Sequence, residues 1–313
     1  MINGTYSKTN HDNSPAIQAT PNVTWQEFAT GSLPTTLSPI ESHGVLWQAN
    51  EGEFTLHVPE QARFWVKQQQ PIHVEREAAT SDVALRLFSQ GLPLAAHFVQ
   101  RQCFTLHAAS LATPQGAIVL VGHSATGKST LAAAFARRGY ALLADEVTPL
   151  SITPTGTLQI EPAMSDLFLW RTAIDKLGLP LDACTQARPG LERYLLPQQP
   201  IATTAQPLAA IYILGQSNLP EVQFEAITGQ QRFLSLQNHA YNRYLPEAPI
   251  VRQRHFLQLT MTLAKTHICR LQRPRSDWSI PEIVDAIEKD LQHLAIYKEN
   301  SHAPSSSMQE SAQ

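Results

Sequence analysis

Gly122-His-Ser-Ala-Thr-Gly-Lys-Ser-Thr130 is the stretch on which the reading of this chain turns. It satisfies the phosphate-loop pattern G-x-x-x-x-G-K-[ST], in which backbone N–H groups surround phosphate oxygens and the Lys reaches the outer phosphates. Its surroundings suit that reading. Gly116-Ala-Ile-Val-Leu-Val-Gly122 is a short apolar run rich in β-branched residues, the signature of a buried parallel strand. Lys128 to Arg138 contains neither Pro nor Gly, puts Leu131 and Phe135 on one helical face, and is followed by Gly139, a natural C-terminal stop. A loop between a strand and a helix N-terminus is where an anion is held.

Two further pieces converge on the same place. Tyr140-Ala-Leu-Leu-Ala-Asp145-Glu146 reads as a second apolar strand that ends in two carboxylates. In an open α/β sheet ligands lie beyond the C-terminal strand ends, so these acids are expected near the phosphates. Upstream, Cys103 to Ser110 reads as a strand pairing with Gly116 to Gly122 across the Pro114-Gln115-Gly116 turn, which brings His107 towards the same edge.

From Leu106 to Leu150 the chain resembles the catalytic core of the HPr serine kinase/phosphorylase family, and in particular its smaller HPr-kinase-like relatives. The shared pattern is a His on a strand, a phosphate loop, a helix ending in Arg-Gly, and a strand ending in paired acids. Weaker similarity runs through Pro162-Ala-Met, Leu169-Trp-Arg171, Pro207 to Leu214 and Leu271-Gln-Arg-Pro274, so it covers most of Ala95 to Leu294. The resemblance implies an α/β fold: a P-loop kinase core of the HPr kinase / phosphoenolpyruvate carboxykinase type, with a small β-rich N-terminal region. It implies ATP bound by Gly122, His123, Ser124, Ala125, Thr126, Gly127, Lys128, Ser129 and Thr130, with Lys128 on the β/γ-phosphates. It also implies Mg²⁺ at Ser129 and Glu146, Asp145 accepting the proton of the substrate hydroxyl, and His107 orienting Asp145. Three departures stand out. Ala125 replaces a usual Gly, the later metal-binding Glu has only Gln159 or a shifted Glu161 as counterpart, and the glycine-rich C-terminal signature of HPr-specific enzymes is missing.

Bulk properties narrow the class. With 313 residues there is room for a large domain and a small one. A net charge of −3 and a pI near 6.5 argue against nucleic acid or an anionic membrane as partner. No apolar run approaches the roughly 20 residues of a membrane helix, and no signal-peptide pattern opens the chain. Cys103, Cys184 and Cys269 are widely separated, which suggests a reducing, cytoplasmic setting without a disulfide frame or a zinc-site spacing.

Along the chain we expect a disordered tail over 1–20, a β-rich region with bridging helices over 21–98, the kinase-like domain over 99–298, and a second disordered tail over 299–313. In the β-rich region Val45-Leu-Trp, Phe54 to Val58 and Phe64-Trp-Val66 read as strands, with a turn at Asn50-Glu-Gly52. Asp82 to Val99 reads as helical with a break at Gly91-Leu-Pro93, Val147 to Ile160 as a hairpin, and Glu282 to Ile296 as a terminal helix. Arg188, Arg193 and Arg243 are candidates for phosphate or substrate contacts, although surface ion pairing is the simpler role. Trp170, Tyr241 and Tyr244 are most simply packing aromatics.

The resulting expectation is an ATP- and Mg²⁺-dependent kinase acting on a hydroxyl, a Ser of a peptide or small protein, with homo-oligomerisation as a further implication of the resemblance. The alternatives are a small-molecule kinase of the same fold and a nucleotide-binding regulator without catalysis.

Overall fold

The computed structural model describes residues 23, 25–29, 31–163, 166–241, 245, 249–275 and 278–302. The expected segment 1–20, the tail from 303 onwards, and Arg243 and Tyr244 lie outside the described residues.

The chain is a mixed α/β protein. A six-stranded sheet comes first: β1 (Trp25–Phe28), β2 (Ser42–His43), β3 (Trp47–Ala49), β4 (Glu53–Val58), β5 (Ala62–Lys67) and β6 (Ile72–Arg76), in the order β1-β6-β5-β4-β3-β2. Strict alternation of buried and half-buried residues along β5 shows a sheet with one face in the core. The expected strand at Val45 begins instead at Trp47: Val45 is wholly exposed, in a bend, and Leu46 is exposed beside it. The turn at Asn50 is made as expected, the side chain of Asn50 accepting from the N–H groups of Gly52 and Glu53.

Two helices follow, α1 (Asp82–Ser89), capped by Ser81, and α2 (Leu92–Gln100), with Pro93 in its first turn. The chain then enters the second sheet through β7 (Phe104–Thr113) and β8 (Gly116–Val121), and continues with α3 (Lys128–Arg137), β9 (Ala141–Ala144), β10 (Val147–Ile152) and β11 (Leu158–Ile160). A small three-stranded sheet comes next, built from β12 (Phe168–Trp170), β13 (Thr185–Arg188) and β14 (Leu191–Leu195), with α4 (Arg171–Leu177) after β12. The second sheet is completed by β15 (Gln206–Ser217), β16 (Gln223–Ala226) and β17 (His267–Pro274), with α5 (Gly229–Gln237) and α6 (Pro249–Lys265) between the last two strands. The helix α7 (Ile280–His302) runs further than the apolar pattern of the sequence predicts.

The second sheet has eight strands in the order β11-β10-β7-β8-β15-β17-β16, with β9 paired to β7. All six residues of β8 are buried, because both faces are covered. Ile118 and Leu120 join Leu131, Phe135, Ile283 and Ile287 of α3 and α7 on one side. Ala117, Val119 and Val121 join Leu236 of α5 and Leu259 of α6 on the other. Each such aliphatic side chain contributes about 1.5–3 kcal/mol by leaving water, which is why the run tolerates no polar residue.

Strand direction positions the candidate site. β8 is antiparallel to β7 and so is β9, hence β8 and β9 run the same way and end at the same edge. The same strand β7 pairs its first residues with β10, placing His107 opposite Val147 at that edge. Among the described residues no helix is long and apolar enough to cross a membrane.

Candidate active site

The loop from Gly122 to Thr130 joins β8 to α3. Gly127 caps α3 in a left-handed conformation, φ 100°, and no side chain caps the helix, so the first-turn N–H groups of α3 are left for a ligand. Gly122 is required for a different reason: a Cβ there would sit 2.6 Å from Thr126 Oγ1, and that hydroxyl is engaged by His123 O at 2.8 Å. Ala125, at the position where the resemblance implies Gly, does adopt a left-handed φ of 65°.

Lys128 is folded onto its own loop. Its ammonium donates to Gly122 O at 2.9 Å and to His123 O at 3.1 Å, and the residue is buried. Burial lowers its affinity for its proton and the nearby Arg193 adds to this, while Glu146 and Asp145 work in the opposite direction.

The two acids go different ways. Val147 N–H donates to Asp145 O at 3.0 Å across Glu146, whose φ is 72°. A three-residue turn of this hand is rare and strained, and strain of this kind collects at functional positions. It sends Asp145 towards α3, where its Oδ1 accepts from Ser129 Oγ at 3.1 Å, and Glu146 towards β7, where its Oε1 lies 3.0 Å from His107 Nε2. Tyr241 Oη also donates to that oxygen, at 3.3 Å. The expected contact of His107 with Asp145 is therefore not made; His107 serves Glu146, because β7 and β10 place it opposite Val147 and the reversed φ turns Glu146 to that side.

Electrostatics separates the pair further. Burial, followed by the charge of Glu146, raises Asp145 to about 6, against weaker lowering from Ser129, Arg193 and Lys128. Burial would also raise Glu146, but the hydrogen bond and charge of His107, with Lys128 and Arg193, outweigh it and hold that carboxyl at about 2.

A cleft of about 640 Å³ opens over the loop. His107, Ser124 to Thr130 and Glu146 form one wall, whereas Asp145, only 2% exposed, lies behind it. Gly122 and His123 also stand off the cleft, the exposed His123 ring resting 4.7 Å from that of His239. The remaining lining was only partly legible in the sequence, which offered Arg193 as a candidate for phosphate or substrate contact and read Trp170 as a packing aromatic. That lining carries Trp170, Lys176, Arg193, Arg273, Arg275 and Trp278. Trp170 is half exposed there. Of the arginine candidates, Arg193 is present, its guanidinium 5.9 Å from the Phe168 ring and its Nε without a hydrogen-bond partner. Arg188 is exposed and stands outside the cleft. Glu161 is also elsewhere, accepting from Ser151 and Gln159.

No protein family matches the chain, and neither does any curated protein. Among solved structures it is similar to an Hpr(Ser) kinase/phosphatase from Coxiella burnetii, at 15% identity over 65% of this chain and 99% of that one. The TM-score is 0.32, an overlap too loose to fix either family or activity.

Proposed function

We propose that the protein is an ATP- and Mg²⁺-dependent phosphotransferase with a P-loop core of the HPr-kinase type, which moves the γ-phosphoryl group to a hydroxyl. The acceptor is a Ser of a peptide or small protein. The observation that carries this reading is the meeting, at one sheet edge, of an uncapped helix N-terminus, a loop lysine and two carboxyls of opposite electrostatic character.

The donor set fits the metal. Ser129 Oγ and the Asp145 carboxyl are hard oxygens in contact, the kind of donor Mg²⁺ favours. Ser129 and Asp145 would hold Mg²⁺, which supplies charge neutralisation on the phosphates. Lys128 would exchange its carbonyl partners for the outer phosphate oxygens, and the N–H groups of the first turn of α3 would hold the inner ones. Arg193, Arg273 and Arg275 add positive charge to the far wall, suited to a triphosphate and to the charge that spreads over the transferred group.

Glu146 faces the cleft with its side chain 32% exposed, so it is the acid that an acceptor hydroxyl can meet. Held ionised by His107, it orients the hydroxyl and takes the proton late, when the loose transition state has made that proton acidic. The roles of the two acids are thus the reverse of those implied by the sequence resemblance. Tyr241 and His107 fix the carboxylate, and Trp170 with β14 offers the acceptor a surface beside it.

The test is transfer from labelled ATP to candidate peptides, read by mass spectrometry, in wild type, Lys128→Ala, Glu146→Gln and Asp145→Asn. Lys128→Ala should abolish transfer, Glu146→Gln should lower kcat by at least about 10²-fold at unchanged Mg²⁺ requirement, and Asp145→Asn should raise the Mg²⁺ concentration needed. A raised Mg²⁺ requirement from Glu146→Gln, with Asp145→Asn affecting kcat alone, would restore the other assignment. Label on a free metabolite alone would remove the peptide acceptor, and tight ATP binding without any transfer would remove catalysis.

A further inference from the structure

On the face of the second sheet that carries α3 and α7, three side chains of different chemistry converge. His267 and Cys269 are two apart on β17 and so point to the same face. Asp290 comes to them from α7. One ligating atom from each, an imidazole nitrogen, the Cys269 sulfur and a carboxylate oxygen, lie within 4.8 Å of one another. Tetrahedral zinc with bonds of about 2.0–2.3 Å sets its ligands roughly 3.3–3.8 Å apart, so modest side-chain rotation closes the set.

The surroundings supply the outer-shell support that a metal site needs. Tyr212, on β15 directly opposite Cys269, donates to Asp290 Oδ2 at 2.8 Å. That fixes the carboxylate from outside, as outer-shell groups do for metal ligands. His267 Nε2 is buried and faces Asp290 Oδ2 at 3.2 Å, so imidazole and carboxylate are already directed at one point. Cys269 is a buried free thiol in the same cluster. His293 stands one helical turn beyond Asp290, close enough for its charge to act on that carboxyl. The cluster is separate from the phosphate-binding edge: Cys269 is level with Tyr212 and Leu120, inside the sheet, and none of the three ligands lines the cleft.

We propose that His267, Cys269 and Asp290 form a Zn²⁺ site that pins α7 to β17, with His293 or water in the fourth position. The nitrogen, sulfur and oxygen donors suit zinc, and neither Mg²⁺ nor Ca²⁺ favours a thiolate. On binding, the Cys269 proton leaves to solvent as the sulfur–metal bond forms, so affinity rises with pH. The separate Cys spacing in the sequence gave no hint of it because only one cysteine takes part.

The full-length chain, stripped with chelator, is titrated with Zn²⁺ against a chromophoric competitor and with Co²⁺ by absorption spectroscopy. One ion per chain is expected, with Co²⁺ giving tetrahedral d–d bands and a near-ultraviolet thiolate-to-metal band. Cys269→Ser should remove that band, and His267→Gln, at a residue only partly buried, should weaken binding by at least about 10²-fold; Tyr212→Phe should weaken it about 10- to 100-fold. Lys128→Ala should bind zinc as wild type does. Absence of stoichiometric binding, or a thiolate band and affinity unchanged in folded His267→Gln, would overturn the site. Should Cys269→Ser fail to fold, His267→Gln and the wild-type Co²⁺ spectrum decide the question.

Discussion

Asp145→Asn should stabilise the ligand-free protein at neutral pH while damaging its function. Raising a buried carboxyl from its ordinary 3.8 to about 6 means that its ionisation costs the folded state about 3 kcal/mol at pH 7. Asparagine removes that cost. Its Oδ1 can still accept from Ser129 Oγ, but its amide adds a donor without an evident partner, which takes back about 1–3 kcal/mol. The net change at neutral pH is therefore about 0–2 kcal/mol in favour of the variant. The sign with pH is more decisive than the size. The folded protein holds this proton more tightly than the unfolded chain does, so the contribution of Asp145 is most favourable below about 4 and is lost as pH rises through about 6. The variant lacks that slope. Urea denaturation of both proteins at pH 4.5, 5.5 and 7.5 without Mg²⁺ or nucleotide should show Asp145→Asn gaining on wild type by about 2 kcal/mol across the series, since about 1 kcal/mol of the cost is already present at pH 4.5. A difference that stays constant with pH would refute the raised carboxyl.

The loop yields two further predictions. Gly122→Ala should lower nucleotide affinity at least tenfold by calorimetry, since the new Cβ forces Thr126 off His123 O and displaces the loop. Ala125→Gly should change stability by less than about 1 kcal/mol, because relief at φ 65° and the added freedom of the unfolded chain nearly cancel, whereas Ala125→Val should cost more than about 1 kcal/mol by thermal denaturation.

What could be read from the sequence was what is decided locally. The strand–loop–helix order around Gly122 to Thr130, the apolar run of β8, the stop at Gly139 and the break between α1 and α2 are each specified within a dozen residues, and each appears in the structure at or near its expected bounds. The short strands β1 and β6 were missed because their parallel pairing joins segments far apart in the chain. The rest of the cleft lining was legible only in part: Arg193 stood among the candidates for phosphate contact, but Trp170 was read as packing and Lys176, Arg275 and Trp278 were not singled out, because these residues meet the loop only through tertiary packing. The partner of His107 was misread for another reason. The order of residues gives two adjacent acids, but a positive φ at a glutamate is imposed by the packing around it and leaves no mark in composition or periodicity.

That turn is held by packing that reaches across the chain. Ala144 and Val147, which bracket the acids, are buried in one cluster with Phe64, Val66, Leu94 and Phe98 of the N-terminal sheet and α2. α1 adds a tie through the ion pair of Arg86 with Asp166, just before the strand that bears Trp170. The N-terminal sheet and α2 are thus the mould in which the acid pair is cast. Grafting the phosphate-loop half onto a foreign N-terminal partner would carry over every recognisable motif and lose the conformation that gives them their chemistry.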